Sequence, residues 1–324
     1  MEAIPDLINS ISPLVVIAGP TASGKSALAL ALGARYGGEI VNCDSLQMYR
    51  GMDIGTAKPD AAERALLPHW LFDVRNPDEV YTAGEYSRQG RAMLREIAGR
   101  GRLPMVIGGA GFYLRALLEG LFDGPARLEP VRERLSRWEG WRAGTLHRVL
   151  ACWDRDSAAR IHARDVNKLI RALEIMVLER QPLREAHRRE RRRLEGFRIL
   201  KLGLNPPREA LRERIGLRAR QMFERGLLEE VKGLAAAGFG REAKAMEAVG
   251  YRQAWACLAG EMTREQAVAE TALRTAQYAK RQMTWFRRDT EMLWLEGFGD
   301  EPGVREQAGQ RLEEFLRAGR ASES

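Results

Sequence analysis

The 324-residue chain is 45% hydrophobic and 30% charged, enough for a sizeable core under a soluble surface, which excludes an intrinsically disordered protein. At roughly 150 residues per domain, its length suggests about two domains. Lysine and arginine number 52 against 44 acidic residues, and the net charge of +8 favours a polyanionic partner such as nucleic acid.

No apolar run reaches the roughly 18 residues of a membrane span. The opening MEAIPDLINSISP has no basic start and is interrupted by Pro5 and Pro13, unlike a secretory leader. Cys43, Cys152 and Cys257 stand far apart and form no CxxC pair. They imply neither a disulfide framework nor a structural zinc site, and a reducing, cytoplasmic setting is expected.

In chain order, residues 14–18 (LVVIA) read as a strand, followed by a glycine-bearing loop and an Ala/Leu-rich helix over 27–34. A second strand is expected at 39–43, ending at Asp44, then a helix at 87–100. A third strand at 103–107 runs into Gly108-Gly109-Ala110-Gly111, followed by a helix at 112–119. Alternating strands and helices predict a parallel sheet covered on both faces. From Leu128 to about Glu185 only helical periodicity is seen. The expected organisation is therefore an α/β core of residues 1–125 and 190–324 with an all-helical insertion at 126–189. Residues 197–204 read as a strand returning to the sheet, with helices from there to the end and a frayed tail at 318–324.

Gly19-Pro20-Thr21-Ala22-Ser23-Gly24-Lys25-Ser26 fits GxxxxGK[ST] between an expected strand and helix. The backbone N–H groups of such a loop cradle phosphate oxygens, lysine adds a cation, and the serine hydroxyl can ligate Mg²⁺. The motif specifies a polyphosphate without naming ATP or a reaction. Asp44 ends a strand, where α/β sheets bind ligands, and could serve as a general base, a metal ligand or a cap. Gln47 could read a base edge. The Gly108–Gly111 loop allows close backbone approach or is a simple turn.

In the helix expected over 208–234, Arg218 falls on the apolar stripe of Leu211, Ile215 and Met222. An inward charge needs an anion, either a carboxylate of the chain or a bound phosphate. In the helix over 270–289, Ala272, Ala276, Ala279, Met283 and Phe286 make one face. Arg274, Tyr278, Arg281, Trp285 and Arg288 lie opposite, where they would stack on unpaired bases or pack on another helix. The arginine run at 184–193 suits a solvated face or an RNA backbone. The four histidines show no ligand spacing.

Together these segments resemble the tRNA dimethylallyltransferase (tRNA isopentenyltransferase) family. The likeness rests on GPTASGKS at 19–26, NCDSLQMYRGMDIGTAKP at 42–59, GGAGFY at 108–113 and ARIHARDVNKLIRALEI at 159–175. EAVGYRQ at 247–253 and AKRQMTWFRRD at 279–289 complete it. It implies a P-loop NTPase-like parallel sheet core flanked by helices, with an all-helical insertion domain. The implied reaction moves a dimethylallyl group from dimethylallyl diphosphate to N6 of the adenosine just 3′ of the anticodon, with Mg²⁺ as cofactor. The loop holds the donor's diphosphate in place of ATP.

By the same likeness Asp44 matches the general base. Gly19, Pro20, Thr21, Ala22, Ser23, Gly24, Lys25, Ser26 and Arg218 surround the diphosphate, with Thr21 also catalytic and Ser26 on the metal. Expected tRNA contacts are Asp44, Ser45, Leu46, Gln47, Ala110 and Arg132; Asn167, Lys168, Leu169, Ile170 and Arg171; Glu247, Gly250, Tyr251 and Arg252; and Lys280, Arg281, Gln282, Trp285 and Arg287. Ala110 stands where that family usually carries threonine or serine. The expected partners are the anticodon stem-loop of tRNA and the isoprenoid diphosphate, without a membrane, and the chain is expected to act as a monomer. Three alternatives share some of these features: a small-molecule kinase, a transferase acting on free adenine nucleotides, and a non-catalytic RNA-binding protein.

Overall fold

The computed structural model describes residues 11–122, 124–187 and 192–320. The first ten residues, the middle of the arginine run (188–191) and the last four residues lie outside them. The chain divides into two compact units, Met1–Leu118 with Leu194–Ser324, and Glu119–Arg193. Among the described residues no helix is long and apolar enough to cross a membrane.

The first unit opens with β1 (Ser12–Ala18), α1 (Lys25–Tyr36), β2 (Gly38–Asn42), α2 (Ala61–Leu66), β3 (His69–Trp70), α3 (Ala83–Gly99), β4 (Leu103–Gly108) and α4 (Gly111–Leu118). The second unit holds α5 (Glu129–Trp141), α6 (Thr145–Trp153), α7 (Arg155–Arg160), α8 (Val166–Glu179) and α9 (Leu183–His187). The chain then returns through β5 (Phe197–Asn205), α10 (Arg208–Glu224), α11 (Leu227–Ala236), α12 (Tyr251–Leu258), α13 (Arg264–Phe286), β6 (Leu293–Glu296) and α14 (Pro302–Arg320).

The strands form one parallel sheet in the order β3-β2-β4-β1-β5-β6. Because successive strand residues point to opposite faces, β1 divides its side chains between two cores. Leu14, Val16 and Ala18 pack with residues of α3, α4, α11 and α12. Val15 and Ile17 pack with Leu28 and Leu32 of α1 and with Val304, Ala308 and Leu312 of α14. A strand apolar on both faces is the mark of a covered parallel sheet.

Two strands were not expected from the sequence. β3 is only two residues long, and β6 sits at the sheet edge beside β5 with Leu293 44% exposed, so neither carries a buried-strand pattern. The single helix expected over 208–234 is two, because Gly226 breaks it at a φ of +101°. The tail also differs: residues 318–320 continue α14.

The second unit is helical throughout, around Leu135, Leu146, Leu150, Leu169, Ile170 and Leu173. At its centre Glu174 is fully buried. It accepts from Arg171 at 2.7 Å, Arg132 at 3.1 Å and the backbone N–H of Leu128 at 2.8 Å. Removing one partner of a buried ion cluster strands the others without a counter-charge. Glu174→Ala is therefore expected to cost on the order of 3 kcal/mol. Hydrogen exchange should speed up across α5 and α8 and stay unchanged in β1; unaltered exchange in α8 would show that the cluster holds nothing.

Candidate functional site

The carboxyl ends of parallel strands share one edge, and there the chemistry-bearing loops gather. β1 ends in the phosphate loop, β2 in Asp44, β4 in the glycine loop and β6 in Gly297–Asp300. The phosphate loop needs unusual backbone. Ala22 takes a φ of +63° and Gly24 one of +85°. A Cβ at Gly24 would lie 2.7 Å from Oδ1 of Asp300, so this loop admits no side chain there. Gly24 also caps α1 without any side-chain bond. The first N–H groups of α1 thus have no intrahelical acceptor and face an anion site by geometry alone.

Thr21, Lys25, Ser26, Asp44, Gln47 and Arg218 line one cleft of about 840 Å³. Lys25 folds back on its own loop, donating to the carbonyls of Gly19 (3.1 Å) and Pro20 (2.7 Å). Burial pushes its pKa down to about 8; the Asp44 carboxylate works against that shift and the Arg218 charge adds to it. Arg218 is likewise pulled below its usual value by burial, offset in part by Asp44. It donates to the Thr56 carbonyl at 3.4 Å and forms no ion pair among the described residues. Of the two partners left open for an inward arginine, a carboxylate of the chain is therefore absent at contact distance.

Asp44 is held at both ends. Its N–H donates to Asn42 Oδ1 at 2.9 Å, and its own Oδ1 accepts from the N–H of Leu46 at 2.9 Å. Its Oδ2 has no hydrogen bond among the described residues. Beside it lies a smaller pocket whose apolar lining is Leu46, Ile215, Ala219, Met222 and Val249, with Thr21, Arg218 and Tyr278 on its polar side. The Gln47 amide already donates to the carbonyls of Thr56 and Ala57, both at 3.1 Å, so its nitrogen is not free to read a base. Cys43, buried next to Asp44, has its thiol pushed up to about 12, chiefly by burial.

α13 does more than the sequence indicated. Gln282 is buried, accepts from the Thr21 N–H at 2.9 Å and donates to the Gly109 carbonyl at 3.0 Å, tying the phosphate loop to the glycine loop. Tyr278, expected on an outward face, turns inward onto the pocket beside Asp44, and burial raises its phenol pKa, with the Asp44 charge adding to the effect. Trp285 is 37% exposed and packs where a Cβ of Gly111 would sit, with the Arg115 guanidinium 5.9 Å from its ring centre. A side chain at Gly108 or Gly109 would meet the Cys43 carbonyl and Gln282, respectively. The glycines of this loop thus serve close packing, and the Ala110 N–H donates to the Cys43 carbonyl at 3.1 Å.

Several expected RNA contacts prove to be structural. Leu169 and Ile170 are core residues of the second unit, and Tyr251 is fully buried in the first, so their side chains cannot reach a partner. Gly250 is also buried, as the cap of α12. Arg132 and Arg171 are committed to Glu174. Ser45 is half-buried; Asn167, Lys168, Glu247, Arg252, Lys280, Arg281 and Arg287 are exposed. On the second unit, Arg127, Arg132, Arg137 and Asn167 line a shallow groove. Glu230 and Asp300 were missed. Nothing local marks them, since their importance lies in contacts with residues far away in the chain: Ile54 for Glu230, Gly24 and Arg214 for Asp300.

Strand order, phosphate loop and the carboxylate at the end of β2 place the molecule among the P-loop α/β enzymes. Residues 47–289 match the model of the IPP transferase family. The tRNA dimethylallyltransferase of Solibacter usitatus is 52% identical over 94% of this chain and 99% of that protein, and that of Koribacter versatilis 54% over 90% and 95%. Among solved structures, the tRNA isopentenylpyrophosphate transferase of Bacillus halodurans superposes with a TM-score of 0.68 at 33% identity, covering 95% of this chain and 99% of that one. A eukaryotic dimethylallyltransferase acting on tRNA gives 0.74 at 27% identity, covering 88% and 74%. The chain belongs to the IPP transferase family and is a prenyl-group transferase.

Lys25 supplies a pH signature. Above pH 8 it is largely neutral in the free protein, and a bound anion restores its charge. Binding of inorganic diphosphate at pH 8.5 should therefore take up a proton relative to Lys25→Met, and the affinity difference between the two proteins should shrink as pH rises past 8. Calorimetry in buffers of different ionisation heat reads this; identical proton uptake in both proteins would exclude Lys25 as the titrating group.

Proposed function

We propose that this chain transfers a dimethylallyl group from dimethylallyl diphosphate to N6 of the adenosine just 3′ of the anticodon in tRNA, releasing diphosphate. The observation that carries this reading is a pair of half-buried cations, Lys25 and Arg218, left without a carboxylate at ion-pair distance among the described residues, in the cleft that also holds Asp44. They suit the double phosphate of the donor. The apolar side of the pocket beside Asp44, formed by Ile215, Ala219 and Met222, suits its hydrocarbon end.

In the reaction, N6 attacks the allylic carbon and the bond from that carbon to the diphosphate oxygen breaks. Charge grows on the leaving oxygen, where the loop N–H groups, Lys25 and Arg218 stabilise it. Asp44 Oδ2 takes the N6 proton, while its Oδ1 stays fixed by the Leu46 N–H. Thr21 lines both the cleft and the apolar pocket, at the junction of phosphate and hydrocarbon. The adenosine must leave its stack for N6 to be reached.

Ser26 is exposed in the cleft and would hold Mg²⁺. Its hydroxyl fits that ion, which binds few protein groups and takes its other ligands from phosphates and water. Among the described residues no cluster of three or more carboxylate, histidine or cysteine side chains offers a fuller site. When bound, the ion would add positive charge to the departing diphosphate.

Exposed Lys168, Arg252, Lys280, Arg281 and Arg287, together with Trp285, provide charge and a ring for the tRNA. Such phosphate contacts make binding weaken with salt. We read the working form as a cytoplasmic monomer.

The test incubates the protein with labelled dimethylallyl diphosphate, Mg²⁺ and either unmodified tRNA or AMP. Label in tRNA alone is expected; label in AMP alone, or none, would overturn the reading. Asp44→Asn should slow the single-turnover rate about 10²–10⁴-fold, the usual worth of a general base. An unchanged rate would take Asp44 out of that role.

A further inference from the structure

The cleft has one wall whose support is a side chain outside it. Residues 53–58 pass between Gln47 and Arg218, and the Thr56 carbonyl accepts from both, at 3.1 and 3.4 Å. Directly upstream, the N–H groups of Asp53, Ile54 and Gly55 converge on the carboxylate of Glu230 in α11, at 3.0, 2.7 and 3.3 Å. Successive N–H groups aimed at one point form an anion nest, and here the anion is a side chain of the protein. The Tyr251 hydroxyl donates to the same carboxylate at 2.6 Å, and its ring lies where a Cβ of Gly55 would be. At the other end, Lys58 pins the segment to the Tyr49 carbonyl at 2.7 Å and to Asp73 at 2.6 Å.

Arg218 has no carboxylate to orient it. Its hydrogen bond among the described residues goes to the Thr56 carbonyl, which Gln47 holds from one side and which lies directly after the nest closed by Glu230. We propose that Glu230 is a positioning residue for Arg218: by closing the 53–55 nest it sets the carbonyl that aims the guanidinium at the donor's diphosphate. The Tyr251 hydroxyl donates to the Glu230 oxygen that also accepts from Gly55 and so holds the carboxylate in place. The inference rests on the function proposed above and adds to it a residue that touches neither substrate.

The test is a double-mutant cycle on binding of inorganic diphosphate, read by calorimetry on the full chain. Glu230→Ala should weaken binding roughly tenfold, the scale of one hydrogen bond to a charged group. In an Arg218→Ala background the same change should have no further effect, because its route is gone. Sodium acetate, which can refill an emptied nest, should restore part of the affinity to Glu230→Ala and none to Arg218→Ala.

In turnover, Glu230→Ala should raise the donor KM more than it lowers kcat, whereas a purely structural loss lowers the active fraction and leaves KM alone. If Glu230→Ala does not fold, Glu230→Gln keeps an acceptor and should show a smaller effect of the same kind. Additive losses in the cycle, or an unchanged diphosphate affinity in a folded Glu230 variant, would overturn the proposal while leaving the transferase reading intact. Wild-type protein that binds no diphosphate would overturn both.

Discussion

Two half-buried positive charges lining one cleft, without a negative side chain at contact distance to meet them, are the constraint on which this molecule turns. Partial burial lowers the pKa of both Lys25 and Arg218, and the Asp44 carboxylate, which offsets this in part, forms no ion pair with either. Proteins usually relieve such a cost with a carboxylate at contact distance. A carboxylate there would compete with a phosphate, so the relief is left to the ligand. The rest of the cleft is built around keeping these cations in place while empty. Lys25 rests on two carbonyls of its own loop and Arg218 on the Thr56 carbonyl. Neutral dipoles of this kind hold a cation more weakly than an ion pair would, so an arriving anion displaces them at small cost.

Neighbouring ion pairs follow the same logic by being complete. Arg214, one turn before Arg218 on α10, is closed by a bidentate pair with Asp300 at 2.7 and 2.6 Å. Lys58 is closed by Asp53 and Asp73, and Arg64 by Asp73. Arg214, Lys58 and Arg64 around the mouth are thus neutralised within the protein, whereas Lys25 and Arg218 form no ion pair among the described residues. That contrast separates a ligand site from a merely basic surface.

The central part of the fold was legible because its signals are local. The apolar run of β1, the loop motif and the Ala/Leu helix lie within 25 residues of one another, and burial on both faces writes a strand as a continuous apolar run. The motif placed Lys25 and Ser26, and stripe spacing placed Arg218 facing inward. What stayed hidden depends on distant packing. β6 is an edge strand of four residues with two of them exposed, and nothing in LWLE distinguishes it from a helix end. Tyr278 was read by helical periodicity as lying opposite the apolar stripe, and Gln282 was expected by likeness alone, as a tRNA contact. α13 is covered on more than one side, so a two-face description of it fails, and its polar residues are buried where they meet the loops. The segment likenesses at 167–171 and 247–252 do not separate residues that face outward from those that hold the helix down. Leu169, Ile170 and Tyr251 belong to the second kind.

Asp44 shows why the choice between cap and catalyst, open on the sequence, is not a choice. A carboxylate has two oxygens. One is spent on the Leu46 N–H, which fixes the torsion of the side chain and the turn after β2 together. The other is then presented in a single direction, with no rotamer search needed before a proton can be taken. A base free at both oxygens would lose orientational entropy at each encounter, and one bonded at both would have no lone pair to offer. The Asn42 side chain, anchored to the Leu71 carbonyl at 3.0 Å, holds the Asp44 backbone from behind and completes the arrangement. The local structure that ends the strand is the same structure that orients the unbonded oxygen of Asp44.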